Sequence, residues 1–299
     1  MNSNTSPLAA LYVFTLCFFG EASPAQEPLQ LTFGVYTSDM PTDMYRMFKP
    51  TLVYLEQSMS ASIQKPVKIK LRVFNTYDAA RKALVGGEVD FVRFGPSSYI
   101  LAKQENSSIS LLVMEEQEGD FKFKGVIFTR ANSGIQSLKD LKGKSFAFGD
   151  RDSTIGRYLS QTYLVDAGIY AKDLSKQEFL ERHDRVVAAV LSGKFDAGAT
   201  KESNFVKFKK EGLKELLSFD NVTKPWVARG ELDSAVVAAI QENLLKLKDK
   251  KILEAIGEKI TGFGKTDDQM YEPVRIGMAK SIQFEKGPEE KAISTHNAN

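Results

Sequence analysis

Two adjacent hydroxyl residues stand between a predicted strand and a predicted helix. Ser153 and Thr154 lie in the polar segment 149–157, which follows the strand-like run 145–148 and precedes the helix-like run 158–164. Such a junction brings unpaired backbone N–H groups, hydroxyls and the positive end of a helix dipole together. The pattern predicts an anion site. A plain N-cap role for either hydroxyl is the alternative, because capping is the usual role of serine and threonine here.

Arg93 and His183 are two further side chains that suit an anion. Arg93 lies in the otherwise apolar run 91–94. A buried guanidinium needs an acidic partner or an anion, because an unpaired buried charge is costly. Asp90 and Glu202 are the candidate partners if Arg93 forms a buried salt bridge. His183 is one of two histidines and falls between a predicted strand and a predicted helix. A structural and a ligand-binding role stay open for both side chains.

Four motifs follow one another along the chain. They span residues 87–96, 133–144, 183–190 and 193–199, and the second reads SGIQSLKDLKGK. Their serial order, over about 31–277, resembles the phosphate/phosphite/phosphonate-binding periplasmic proteins of ABC transporters. The resemblance implies an α/β fold of the type II periplasmic binding protein class. In that fold each of two lobes is a mostly parallel sheet flanked by helices, and two crossing strands join the lobes.

The resemblance also assigns roles to the polar turn. In that family the turn usually reads Ser-Thr-Ser-Gly, and its hydroxyls and N–H groups hold the phosphonate oxygens. Ser153 and Thr154 match the first two positions, whereas Ile155 replaces the third hydroxyl. The resemblance therefore implies ligand contact at this turn, with one donor fewer than the common pattern.

Four more site residues follow from the same comparison. Tyr77 matches a family tyrosine that contacts the ligand oxygens, His183 matches a family histidine, and Phe94 matches an aromatic position but lacks the phenol. Family members that bind an aminophosphonate carry an acidic residue just before a proline on the return crossing. This chain has Lys224 before Pro225. Because a lysine repels an ammonium group, the chain is expected to bind an anion without an amine.

Composition limits the class of protein. The 299 residues are 42% hydrophobic and 26% charged, which is ordinary for a soluble globular protein. The formal net charge of +2 requires neither a nucleic acid nor an anionic membrane as a partner. The single cysteine, Cys17, lies in the apolar run 8–20, so the mature chain offers no disulfide, metal or thiol chemistry based on cysteine. No cofactor and no metal site are predicted.

The N-terminal segment resembles a secretory signal. The run 8–20 is shorter than a comfortable membrane span, and residues 21–25 include small side chains suited to cleavage. Residues 1–25 are therefore predicted to be a signal peptide for export to the periplasm. A retained membrane anchor facing the periplasm is the alternative, because no Lys or Arg precedes the apolar run.

The remaining chain alternates strand-like and helix-like runs, which is typical of a mostly parallel sheet with ligand groups at the carboxyl ends of its strands. The chain crosses between lobes near Gly125 and again at 223–226. The predicted units are lobe 1 at 26–125 and 224–280, lobe 2 at 126–223, and a polar tail at 281–299.

Binding without turnover is the predicted function. His183 and Asp184 are neighbours at a helix start and form a poor acid–base pair, so an enzyme is not expected. No DNA-binding segment is recognisable in the sequence either, so a transcription-factor effector domain is not expected. The chain is expected to capture a small oxyanion between its lobes, as a monomer, and deliver it to an ABC transporter permease. A membrane sensor as the partner, or a sulfonate or carboxylate as the ligand, stays open.

Overall fold

The computed structural model describes Met1 and residues 26–287. Apart from Met1, the predicted signal peptide and residues 288–299 lie outside the described residues. No helix in the described part is long and apolar enough to cross a membrane.

Strands and helices alternate along most of the chain. The strands are β1 (Leu29–Tyr36), β2 (Val67–Phe74), β3 (Phe91–Arg93), β4 (Ser110–Gln117), β5 (Lys122–Arg130), β6 (Ser145–Phe148), β7 (Lys176–Phe179), β8 (Ala197–Lys201), β9 (Leu213–Val222), β10 (Pro225–Ala228) and β11 (Ile260–Gly264). The helices are α1 (Pro41–Ile63), α2 (Tyr77–Val85), α3 (Pro96–Glu105), α4 (Ser160–Asp166), α5 (His183–Leu191), α6 (Glu202–Phe208), α7 (Ser234–Lys246), α8 (Lys250–Ile256) and α9 (Glu272–Lys286). A π-helix, Thr154–Leu159, leads directly into α4.

The strands form two sheets, one in each lobe. The first has the order β11-β4-β10-β3-β1-β2, and the second has the order β7-β6-β8-β5-β9. In the first, β1 runs parallel to β2 and β3, whereas β10 is antiparallel to β3 and β4, and β11 is antiparallel to β4. In the second, β6 is parallel to β7 and β8, while β5 is antiparallel to β8 and β9.

The two-lobed α/β fold is confirmed, but the prediction of mostly parallel sheets is wrong, because both sheets are mixed. The chain leaves the first lobe between β4 and β5 and returns between β9 and β10. The outgoing and returning segments lie side by side, since β4 pairs with β10 and β5 pairs with β9. Two neighbouring segments that cross in opposite directions must pair antiparallel.

Aromatic packing fixes the returning strand in the first lobe. Trp226 is fully buried, and its ring stacks on Phe33 of β1 with the ring centroids 4.8 Å apart. Phe263 of β11 meets the Trp226 ring edge-on at 5.4 Å. Buried residues of α1, α7 and α8 complete this core, so α7 and α8 cover the first lobe.

Helix α9 corrects the predicted C-terminal boundary. It continues through Ser281, where the polar tail was predicted to begin, and ends at Lys286. Phe284 is fully buried and meets Phe148 of the second lobe edge-on at 5.5 Å. Within α9 the buried residues recur at helical spacing and are small except at the two ends: Val274, Gly277, Ser281 and Phe284. Small residues weaken the apolar pattern, which explains why the sequence looked polar.

A candidate anion-binding site between the lobes

A small cavity of about 30 Å³ lies between the two lobes. Its walls come from the carboxyl ends of strands in both sheets and from the turns that follow them, where α/β proteins usually bind ligands. The lining residues are Tyr36, Ser38, Tyr77, Arg93, Gly95, Pro96, Phe123, Ser153, Thr154, Ile155, His183, Lys201 and Lys224.

The polar turn after β6 forms one wall. Ser153 caps the π-helix, because its Oγ accepts a hydrogen bond of 2.9 Å from the backbone N–H of Gly156. Thr154 Oγ1 instead contacts the first lobe, accepting a bond of 2.9 Å from the backbone N–H of Ser97 and lying 2.7 Å from Ser97 Oγ. Glycine is required where the turn closes, since a Cβ on Gly156 would lie 2.8 Å from the Cα of Gly149. Ser153 is thus the capping hydroxyl and Thr154 the hydroxyl that joins the lobes, while ligand contact by either one stays a prediction.

Two tyrosines and a backbone amide form the wall that comes from the first lobe. Tyr36 and Tyr77 stack with their ring centroids 3.6 Å apart, and the Tyr36 hydroxyl accepts a bond of 2.5 Å from the backbone N–H of Gly95. Burial raises the pKa of Tyr36 to about 12 and raises that of Tyr77 well above its ordinary value. Both phenols are therefore neutral hydrogen-bonding groups.

Phe94 lies behind this wall and not on it. It is fully buried, stacks on Tyr36 at 5.9 Å between ring centroids, and does not line the cavity. Phe94 therefore packs against Tyr36 from behind the wall, whereas the sequence predicted that it would contact the ligand directly.

Arg93 lines the cavity but is already neutralised. Its Nε and Nη2 donate bonds of 2.8 and 3.0 Å to the two carboxylate oxygens of Glu115, which is fully buried. Burial opposes ionisation of Glu115, yet the Arg93 guanidinium holds the pKa of that carboxyl below its ordinary value. The candidate partners were wrong, because Asp90 pairs with Arg229 and Glu202 pairs with Lys259.

Lys224 brings an amine to the cavity without a carboxylate partner among the described residues. Its Nζ lies over the Phe123 ring, 4.9 Å from the centroid, and within residues 26–287 no acidic group lies at ion-pair distance from it. Burial, and then the charges of Arg93 and Lys201, lower the pKa of Lys224 well below its ordinary value. An anion in the cavity would offset these effects.

Lys201 is a site residue that the sequence reasoning missed. It lies at the carboxyl end of β8 and pairs across the cleft with Asp39, which also accepts a bond of 3.0 Å from Asn204 Nδ2. Burial works against ionisation of Asp39, but the Lys201 ammonium holds its pKa below the usual range. The available signal was the place of Lys201 two residues after the 193–199 motif, where it ends a strand in the same way as Tyr36.

His183 links the lobes at the other side of the cavity. Its backbone N–H donates a bond of 3.1 Å to the carbonyl of Ser38, and its side chain is 6% exposed. Nδ1 has no hydrogen-bond partner among the described residues. Burial, and then the Lys201 ammonium, lower the pKa of His183 to about 3, so the imidazole is neutral.

Comparison with known proteins agrees with this geometry. Residues 33–271 match the family model described as "ABC transporter, phosphonate, periplasmic substrate-binding protein". The chain belongs to this family. Members of this phosphonate-binding family bind their substrate without converting it, so the expectation of a non-enzyme is confirmed.

Individual relatives within the phosphonate-binding family are moderately similar. The chain is 31% identical over 192 residues to a probable ABC transporter phosphite binding protein PhnD1 of Prochlorococcus marinus, covering 59% of this chain and 64% of that protein. It is 24% identical over 181 residues to the phosphate-import protein PhnD of Mycolicibacterium smegmatis, covering 57% and 54%. The matches thus span less than two thirds of these relatives.

The solved structure of one relative has the same fold as this chain. The Prochlorococcus PhnD1 structure in complex with methylphosphonate has a TM-score of 0.75 at 24% identity, covering 85% of this chain and 98% of that one. The family assignment therefore rests on the match between this sequence and the family model, and the structural similarity supports the two-lobed fold.

Proposed function

We propose that this protein captures a small tetrahedral phosphorus oxyanion, of the phosphite, phosphate or methylphosphonate class, and delivers it to an ABC importer. The observation that carries the proposal is the position of Lys224 in the inter-lobe cavity, with no carboxylate partner among the described residues. An anion beside this amine would stabilise its charged form, which burial and two other cations disfavour.

The size of the cavity supports a small ligand. A single water needs about 10–15 Å³ of such space, so about 30 Å³ suits a compact anion and excludes a long substituent. Phe123 and Ile155 add apolar surface to the wall. A phosphorus atom bearing a hydrogen or a methyl group in place of one oxygen fits this mixture of polar and apolar surface.

The polar wall provides donors suited to phosphorus oxygens. Tyr36 and Tyr77 offer neutral phenols, Thr154 lies at the start of a helix, and Lys224 adds a point charge. Ligand contact by Ser153 and His183 is part of the proposal, whereas Arg93 contributes a guanidinium already paired with Glu115.

Delivery follows from closure of the lobes on the ligand. The hydrogen bond that Ser97 N–H donates to Thr154 Oγ1 and the ion pair of Lys201 with Asp39 join the two lobes around the cavity. A ligand that contacts both lobes shifts the population toward this closed arrangement. We assign recognition of the closed monomer to the permease in the inner membrane, after a signal peptide in residues 1–25 has directed export to the periplasm.

The test is a calorimetric and thermal-shift screen on the mature protein. Phosphite, phosphate, methylphosphonate, methanesulfonate and acetate are titrated in parallel. An anion at about 100 times its Kd should add roughly 2.7 kcal/mol to the free energy of unfolding. Lys224→Gln should lower the affinity for the best anion by about tenfold or more. Binding of the sulfonate or carboxylate alone, or of none of the five, would contradict the proposal.

A further inference from the structure

The charged side chains around the cavity can balance one negative charge on a ligand, but not two. Arg93 is paired with Glu115, and Lys201 is paired with Asp39, so these four groups cancel. The phenols of Tyr36 and Tyr77 line the cavity as neutral groups. In the part of the chain that the structure describes, Lys224 is left as the cavity amine without a carboxylate partner, and a bound anion would hold it in its charged form.

A second negative charge on the ligand would therefore lack a counter-ion. The cavity is small and lies between two packed lobes, where an uncompensated charge is more costly than in water. A singly charged anion pairs with Lys224 and leaves no excess charge. Such an anion, however, keeps an acidic P–OH group that needs a hydrogen-bond acceptor.

His183 is suited to accept this bond. The imidazole is neutral and lines the cavity, and a neutral imidazole always has one bare nitrogen that only accepts. Nδ1 of this ring is buried and has no hydrogen-bond partner among residues 26–287. The backbone bond from His183 to Ser38 holds the ring at the junction of the lobes.

We infer that the site selects the monoprotonated, singly charged form of its oxyanion, with His183 accepting the hydrogen bond from the ligand's P–OH group. This inference rests on the proposed function and specifies the ionic form of its ligand.

The charged groups that face His183 decide how the test is designed. They are Asp39 on the first lobe, Lys201 at the end of β8, Lys224 on the returning crossing and Asp184 on its own helix. Because some of these groups titrate themselves, a single pH profile would mix their effects with that of the ligand. A ratio of two ligands measured on the same protein cancels these effects.

Phosphite and hypophosphite are the probes. Hypophosphite is a monoanion with no P–OH group, whereas phosphite loses its last acidic proton near neutral pH. Between pH 5.5 and 8.5, the ratio of phosphite to hypophosphite affinity should fall roughly tenfold for each pH unit above the second pKa of phosphite, the slope for one bound proton. A ratio that rises with pH would overturn the inference while leaving the proposed function intact. Failure of both probes and of phosphate to bind would overturn both.

Variants at position 183 test the acceptor. His183→Phe keeps a ring but removes the acceptor, so at pH 6 it should weaken phosphite about tenfold more than it weakens hypophosphite. His183→Gln restores an acceptor oxygen and should recover part of the phosphite affinity. Equal losses for both anions in His183→Phe would overturn the role of His183. The wild-type ratio remains decisive if that variant does not fold.

Discussion

Thr154 Oγ1 accepts a hydrogen bond of 2.9 Å from the backbone N–H of Ser97, and this bond joins the two lobes beside the cavity. Ser97 lies in the first turn of α3, where backbone N–H groups have no partner within the helix. The hydroxyl therefore joins the two lobes and also lines the cavity.

Removing the Thr154 hydroxyl should weaken binding more than it weakens the fold. Thr154→Val keeps the branched shape, so the ligand-free protein should melt nearly as before. Affinity for the best oxyanion should fall about tenfold, because the closed form loses a bond between the lobes and a donor near the ligand. Calorimetric titration of both proteins measures this.

Ser153→Ala is the matched control at the adjacent hydroxyl. Ser153 Oγ accepts the bond from Gly156 N–H that caps the π-helix. The variant should lose about 0.5–2 kcal/mol of unfolding free energy. Unchanged affinity in Thr154→Val would show that closure and ligand contact do not depend on that hydroxyl.

Lys224 should exclude ligands that carry an amine. An ammonium group in the cavity would face Lys224, Lys201 and Arg93, so 2-aminoethylphosphonate should bind no more tightly than methylphosphonate. In Lys224→Gln the difference between the two ligands should shrink while both bind more weakly. Competitive titration against one reporter anion gives both constants. A clear wild-type preference for the amine would contradict this assignment.

Breaking the buried Arg93–Glu115 pair should destabilise the whole protein. Glu115→Gln leaves the Arg93 guanidinium buried without its carboxylate, at a cost of about 3–5 kcal/mol measured by chemical denaturation. Glu254→Gln, which removes the carboxylate from the exposed pair with Lys250, is the control and should leave the midpoint unchanged. Equal midpoints for the two variants would show that the buried pair is dispensable.

Asp150 should make the protein less stable at neutral pH than at mildly acidic pH. Burial, together with the Asp152 carboxylate, raises the pKa of Asp150 to about 6, against roughly 3.9 in an unfolded chain. Between these values the folded state binds the proton more tightly, so stability from this group rises as pH falls from about 6 to about 4.

Asp150→Asn isolates this effect. Asn keeps an oxygen for the bond of 2.7 Å that Asp150 Oδ1 accepts from the Asp152 N–H, but it has no ionised form. The variant should exceed wild type by up to ~2 kcal/mol at pH 7.5, and the difference should vanish near pH 4. Denaturation curves at both pH values check this, and a variant less stable than wild type at pH 7.5 would contradict the sign.

Much of the fold could be predicted from local patterns. Alternating apolar residues marked β1 and β5, and helical spacing marked α7 and α8, because each element type repeats its side-chain directions with its own period. The direction of strand pairing could not be predicted in this way. Whether β5 runs parallel or antiparallel to β9 depends on how the chain crosses between the lobes, which no local pattern records.

The sequence by itself determined that Ser153 and Thr154 stand at a strand-to-helix junction, that Lys224 takes the place of an acidic residue before Pro225, and that the chain belongs with periplasmic binding proteins. These conclusions depend on residue type and order alone. Only the tertiary structure decided which hydroxyl caps and which one joins the lobes, that Glu115 neutralises Arg93, and that Lys201 reaches the cavity. The physical reason is that the charge of a site depends on which groups are paired, and these pairs join residues far apart in the sequence.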